Sequence, residues 1–267
     1  MKKSTIIALS VLAGVLVTVI TCLAFCNIWR GGSGDYILDE AVTFKPTEEI
    51  RSLDIELGAA DFKIVVGEEL KVETNLKYFS ISCNNDVWVM RDKTKGALRR
   101  DDVMNAIFTL YVPEGTVFDK VGIEAGAAKM TVETLSANVV NIELGAGDAH
   151  FEQLNALSKI EINGGAGAFT VSDGRLNNLT LGFGAGELNL TTALRGVNDL
   201  SFGAGEANIT LIGGKDDYTV DIEKGLGSIT VDGSSVKDFS CGSGENRVDI
   251  SGGVGAINLN FGDTAGE

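Results

Sequence analysis

"LGFGAGELNL" at residues 181–190 and "LSFGAGEANI" at residues 200–209 are nearly the same phrase, 19 residues apart. Each is an alternating segment, a glycine word and a second alternating segment. Words of the form Gly-x-Gly or Gly-Ala-Ala open at residues 58, 126, 145, 165, 184, 203, 225, 242 and 253. From 126 to 203 the steps are 19, 20, 19 and 19, followed by 22, 17 and 11. Before the word, apolar side chains fall one, three and five residues back, as in Leu144, Ile142 and Val140 or Phe183, Leu181 and Leu179. After it they fall four and six residues on, as in Phe169 and Val171 or Leu188 and Leu190. A further apolar residue closes each unit: Leu135, Leu154, Leu176 and Leu194. Period-two alternation is the mark of a strand with one face buried.

A unit of about 20 residues cannot bury its apolar face alone, but it can do so stacked on its neighbours. The pattern therefore predicts an all-β chain. It is expected to form a right-handed parallel β-solenoid with about 19-residue coils, stacked in sequence order. Glycine is expected at each corner because the chain turns sharply or needs φ > 0 there. About eight coils at a spacing of ~4.8 Å would make a rod of roughly 40 Å. Phe183 should neighbour Phe202, and Leu188 should neighbour Ala207. A phosphate-binding glycine loop needs a helix behind it, whereas a strand-like segment follows each word here. No nucleotide is expected.

The first 30 residues differ from the rest. Between Lys3 and Arg30 lie 26 residues without a charge, "STIIALSVLAGVLVTVITCLAFCNIW". A membrane-spanning helix needs ~20 apolar residues, and a cleaved signal core has only ~7–15. Residues 1–30 are accordingly read as a signal anchor or transmembrane helix. Lys2 and Lys3 would stay in the cytoplasm and Trp29 would sit at the outer interface. A lipoprotein signal using Cys22 or Cys26 is disfavoured, because Phe25 is not small and Thr21 is a poor fit. Residues 31–37 read as a linker, 38–120 as an irregular β region that begins the stack, and 121–267 as the regular repeats. Within the irregular region, "RDKTKGALRRDD" at 91–102 reads as a protruding charged loop. The expected location is the cell membrane, single-pass, with the C-terminal domain outside.

Residues 31–267 hold all 37 acidic residues of the chain against 19 of its 22 basic ones. An excess of negative charge of this size argues against nucleic acid and other polyanions as ligands. Cys83 and Cys241 lie 158 residues apart and do not make a disulfide framework; each reads as a small buried apolar residue.

The words "SLDIELGAADFKIVVGE" at 52–68 and "FTLYVPEGTVFDKVGIEAGAAKMTVETL" at 108–135, with the coils that follow, carry a resemblance. Residues 37–267 resemble the exported β-strand-repeat "putative adhesin" domain family of unknown function, in its membrane-anchored form from Gram-positive bacteria. The resemblance implies surface adhesion or an envelope-stress role and brings no catalytic residues with it. The 22-residue step and the short last unit depart from the regular pattern.

Parallel β-helices can host glycan-cleaving enzymes, which need clustered carboxylates on one face. Three residues after each word opens, the outward row holds Asp61, Lys129, Asp148, Glu187, Glu206 and Glu245. Two further on it holds Lys63, His150, Asn189, Asn208 and Arg247. Glu187 and Glu206 would be close neighbours, facing solvent or sharing a cation such as Ca²⁺, with solvent preferred. His150 is the only histidine and stands outside any local catalytic or metal-ligand pattern. Three Asn-x-Thr sequons, at Asn178, Asn189 and Asn208, follow from strand patterning. No catalytic, cofactor-binding or metal-binding residue is assigned, and no cofactor is expected. The sequence thus points to a non-catalytic, membrane-anchored extracellular module for adhesion, surface display or envelope-stress sensing. Its partners would be the membrane, through the N-terminal helix, and an unidentified protein or glycan. A structural or regulatory subunit of a membrane complex is the alternative, and a glycan-cleaving enzyme the third reading.

Overall fold

The computed structural model describes residues 37–93, 105–237 and 239–262. The expected transmembrane segment and most of the linker lie outside the described residues, as do residues 94–102 of the charged loop. Among the described residues no helix is long and apolar enough to cross a membrane. The chain is all-β. Its strands are β1 (Ile37–Phe44), β2 (Ser52–Gly67), β3 (Lys71–Leu76), β4 (Phe79–Asn84), β5 (Val87–Asp92), β6 (Ile107–Pro113), β7 (Phe118–Val171), β8 (Gly174–Asn177), β9 (Leu179–Arg195), β10 (Val197–Ile212), β11 (Tyr218–Val231), β12 (Ser234–Val236), β13 (Phe239–Cys241) and β14 (Asn246–Gly262). They form one open sheet.

β7 shows how the repeat shapes the backbone. Fully extended, its 54 residues would span about 180 Å. Instead, its glycine words at 126, 145 and 165 lie directly on one another. A Cβ added at Gly145 would stand 2.3 Å from the Gly126 carbonyl oxygen, and one at Gly165 would stand 2.2 Å from that of Gly145. The ribbon therefore turns back on itself every 19 or 20 residues. β9 continues it in parallel on β7, with Leu181 opposite Ile162 and Leu188 opposite Phe169. β10 continues it on β9, with Phe202 opposite Phe183 and Ala207 opposite Leu188. The 19-residue register read from the sequence is the register of the sheet.

Inside, the residue three before each word forms a ladder of aliphatic side chains: Ile55, Ile123, Ile142, Ile162, Leu181, Leu200, Ile250 and Ile222, all buried. The ladders four and six residues after the word compensate one another in volume. Where the first holds the small Ala149, the second holds Phe151, whose ring lies 5.5 Å from that of Phe169 in the first ladder of the next unit. Close-packed interiors require such matching. Leu135, Leu154, Leu176 and Leu194 are buried as expected.

The order of stacking differs from the sequence at both ends. β11, with the word at 225, does not lie on β10. The C-terminal strand β14 lies between them, parallel to both, with Phe202 opposite Gly252 and Ile222 opposite Ile250. The expectation that the coils stack in sequence order up to a short last unit is thus corrected. The word at 242 is not a corner either. Gly242 packs against the Tyr218 carbonyl and Gly244 against the Asp217–Tyr218 peptide, so the two belong to a turn that lets the chain double back. At the other end, β2 lies between β7 and a unit assembled from β5 and β6, parallel to all three. The first and last complete units of the chain are therefore interior.

Short antiparallel strands cover both ends. β3 pairs with β6, β1 with β3, and β4 with β5. β12 and β13 pair with β11. Uncovered edges invite other strands, and capping units are the usual remedy in repeat proteins. Aromatic side chains plug the first end, with Phe62 edge-on to Phe108 and Phe79 bridging Phe108 and Phe44. At the other end Tyr218 is fully buried, and its hydroxyl donates to the Ile212 carbonyl.

Candidate functional face

Each outward row of the stack repeats one residue position at the spacing of parallel strands, ~4.8 Å. Five residues after the word opens, the row reads Lys63, Thr131, His150, Thr170, Asn189, Asn208, Asn258 and Thr230 in stacking order. Its three asparagines form a ladder. Asn258 donates from Nδ2 to Asn208 Oδ1 at 2.8 Å, and Asn208 donates to Asn189 Oδ1 at 3.0 Å. The sequons at Asn189 and Asn208 are two rungs of this ladder.

The neighbouring carboxylates brace it. Asn189 Nδ2 donates to Glu187 Oε1 at 2.9 Å, and Asn258 Nδ2 donates to Glu206 Oε1 at 2.9 Å. Glu187 and Glu206 are directly opposite one another and exposed. Each is thus held by an amide donor as well as facing solvent. Asp148 accepts from the Ala168 backbone N–H one unit further along, at 3.1 Å. Asp61 binds Lys63 through Oδ2 at 3.1 Å, while its Oδ1 is buried without a hydrogen-bond donor. His150 is exposed in the same row. Glu245 and Arg247 do not belong with these residues. Glu245 lies in the turn before β14, and Arg247 pairs with Asp249 at 2.8 Å on another face. Among the described residues no group of three His, Cys, Asp or Glu side chains is placed to hold a metal ion.

Two features escaped the sequence reading. Asn258 escapes the spacing because the last unit reads as short, although "AINLNF" at 256–261 aligns with "EANITL" at 206–211 from the glycine word onward. The column Asp199, Asp249, Asp221, on the opposite side of the word, appears only when β14 is placed between β10 and β11.

The far corner of the stack is stapled by asparagines. Asn198 is fully buried and satisfied: Oδ1 accepts from the Leu179 N–H at 3.0 Å and Nδ2 donates to the Arg247 carbonyl at 3.0 Å. Asn178, with φ of 50° or so in the left-handed region (51°), accepts from the Val197 N–H and donates to the Ser158 carbonyl. Asn246 accepts from the Gly196 N–H and donates to the Asp217 carbonyl. The third sequon asparagine is therefore a corner staple. A buried amide left unpaired would be costly, and these pairings lock the register of one unit on the next.

Cys83 and Cys241 are free and half-buried, one in each cap, rather than fully buried. Burial raises the pKa of the Cys241 thiol.

The chain is similar to several solved structures. One is a putative cell adhesion protein from Clostridium sporogenes, at 14% identity over 84% of this chain and 98% of that one, with a TM-score of 0.34. Others are putative adhesins from Bacteroides fragilis (13% identity, 85% and 100% covered, TM-score 0.37) and Parabacteroides distasonis (13%, 82% and 98%, TM-score 0.44). No family model matches, and no curated protein matches.

Proposed function

We propose that this chain is a non-catalytic, membrane-anchored right-handed β-solenoid that projects a braced polar face from the cell surface for adhesion. The observation that carries this reading is the amide ladder Asn189–Asn208–Asn258 with its flanking Glu187 and Glu206. Its members stand at fixed spacing on a rigid sheet, and each amide is oriented by its neighbours. Such a row can meet an extended partner rich in hydroxyls or amides, a glycan or a protein strand, with little ordering cost at binding. The uncharged run at 4–29 supports attachment to the membrane.

The test uses soluble residues 31–267 against immobilised polysaccharides and intact cells. Binding should persist without the anchor and fall at least tenfold in an Asn189→Ala/Asn208→Ala/Asn258→Ala variant. Binding that needs residues 1–30 would favour a subunit of a membrane complex. Exposed Leu226 and Val254, adjacent on neighbouring strands, are the apolar contact that reading would use.

A further inference from the structure

We infer that the corner of the N-terminal cap formed by Lys77, Tyr78 and Lys93 rests on an anionic lipid surface, so that the stack stands on this cap with β11 and β12 farthest from the bilayer. The inference rests on the anchor reading above and adds the contact surface and the orientation.

The point at which the chain enters the sheet carries the argument. Ile37 pairs with Leu76, so residues arriving from the linker meet the sheet beside the turn between β3 and β4. That turn carries Lys77, which is exposed, and Tyr78, which is 48% exposed. The Lys93 N–H donates to the Tyr78 carbonyl at 2.9 Å, which brings a second exposed lysine to the same corner. Lysine and tyrosine are the side chains that suit the headgroup region: the amine meets phosphate, and the ring spans the polar boundary. Seven residues, 30–36, separate Trp29 from Ile37, and they reach at most about 25 Å. β1 and β12 are the two ends of the sheet, and the stacked units between them span roughly 40 Å.

Charge favours the same orientation. Residues 37–120 hold 11 Lys and Arg against 16 Asp and Glu, whereas residues 121–267 hold 8 against 20. An anionic bilayer repels the second part more strongly, and the effect is felt within a Debye length of the surface.

The experiment uses the full chain with Cys22, Cys26, Cys83 and Cys241 replaced by serine, in vesicles of phosphatidylcholine and phosphatidylglycerol bearing an energy-transfer acceptor on the headgroups. A donor dye is placed at Ser82→Cys in the N-terminal cap or at Ser228→Cys in β11. Transfer should be several-fold stronger from position 82. Lys77→Glu/Lys93→Glu should shrink that difference while the protein still floats with the vesicles. Equal transfer from the two positions, stronger transfer from 228, or no effect of the charge reversal would overturn the inference and leave the anchor standing. Failure of the unsubstituted chain to float with vesicles would overturn the anchor reading, and this one with it.

Discussion

At Gly164 a side chain is excluded by a ring and not by the backbone angle. A Cβ there would stand 2.3 Å from the Phe183 ring. Gly164→Ala should therefore cost about 1–3 kcal/mol in chemical denaturation, as overpacking does, and Phe183→Leu should recover part of the loss. An alanine of wild-type stability would contradict the packing. The second glycine of each regular word is more constrained. Gly205 has φ of 128°, and its Cβ would meet the Gly186 carbonyl oxygen at 1.9 Å. Backbone cannot yield as a ring can, so Gly205→Ala should cost more than Gly164→Ala and resist rescue. The first glycine of the word has another reason to be glycine. Gly184 needs no positive φ, but its Cβ would strike the Gly165 carbonyl oxygen at 2.4 Å. The sequence reading attributed every corner glycine to the turn alone; stacking of corner on corner is the further cause. In the cap, Glu73 accepts from Lys71 and from the Tyr111 hydroxyl, and these bonds hold its pKa below the usual carboxylate value. A depressed carboxylate stabilises the fold above its unfolded pKa and loses that contribution as pH falls through the folded value. The stability gap between wild type and Glu73→Gln should thus be present at pH 7 and close in acid, as urea midpoints would show. A gap that widens in acid would contradict the pairing.

Among the elements, β14 is the last of the described strands, yet it pairs along both edges. Chain termini ordinarily fray, and interior strands open only with the whole unit. Amide exchange in β14 should therefore be as slow as in β9 and β10; rapid exchange would mean that the strand lies at an edge. The carboxylates of the outward row give a second expectation. Glu187 and Glu206 already accept from Asn189 and Asn258, so millimolar Ca²⁺ should leave the melting temperature of residues 31–267 unchanged. A rise that disappears in Glu187→Gln would instead show a shared cation. The interior of each element was legible in the sequence because burial imposes period two, and 19-residue steps place Phe202 on Phe183 whatever the ends do. The caps were unevenly legible. β3 and β4 alternate in KVETNL and FSISCN and read as strands, whereas β12 and β13 have three residues each and are too short for alternation to show.

For the whole molecule, the stack is built so that neither terminal unit is exposed. The sequence could not show this, because spacing records which units are alike and not which lie side by side. A step of 22 to the word at 225 and a remnant at 253 looked like decay of the repeat. They are the trace of a chain that leaves one place empty, builds the cap beyond it and returns to fill the gap. The same reversal hid Asn258 and the aspartate column, since both depend on the order β10, β14, β11. Removing the core should be felt throughout: Phe183 is 5% exposed and stacked on Phe202 with ring centroids 6.0 Å apart, and Phe183→Ala should cost ~3–5 kcal/mol. The inserted order itself can be tested by cross-linking. Ser201 lies opposite Ser251, with the hydroxyl oxygens 3.0 Å apart, and Ser251 lies opposite Glu223. Neighbouring parallel strands are close enough for a disulfide, and strands two places apart are not. With Cys83 and Cys241 replaced, oxidation should therefore join the pair Ser201→Cys/Ser251→Cys and leave Ser201→Cys/Glu223→Cys reduced; a disulfide in the second pair and none in the first would show that β11 lies directly on β10 and contradict the inserted stack.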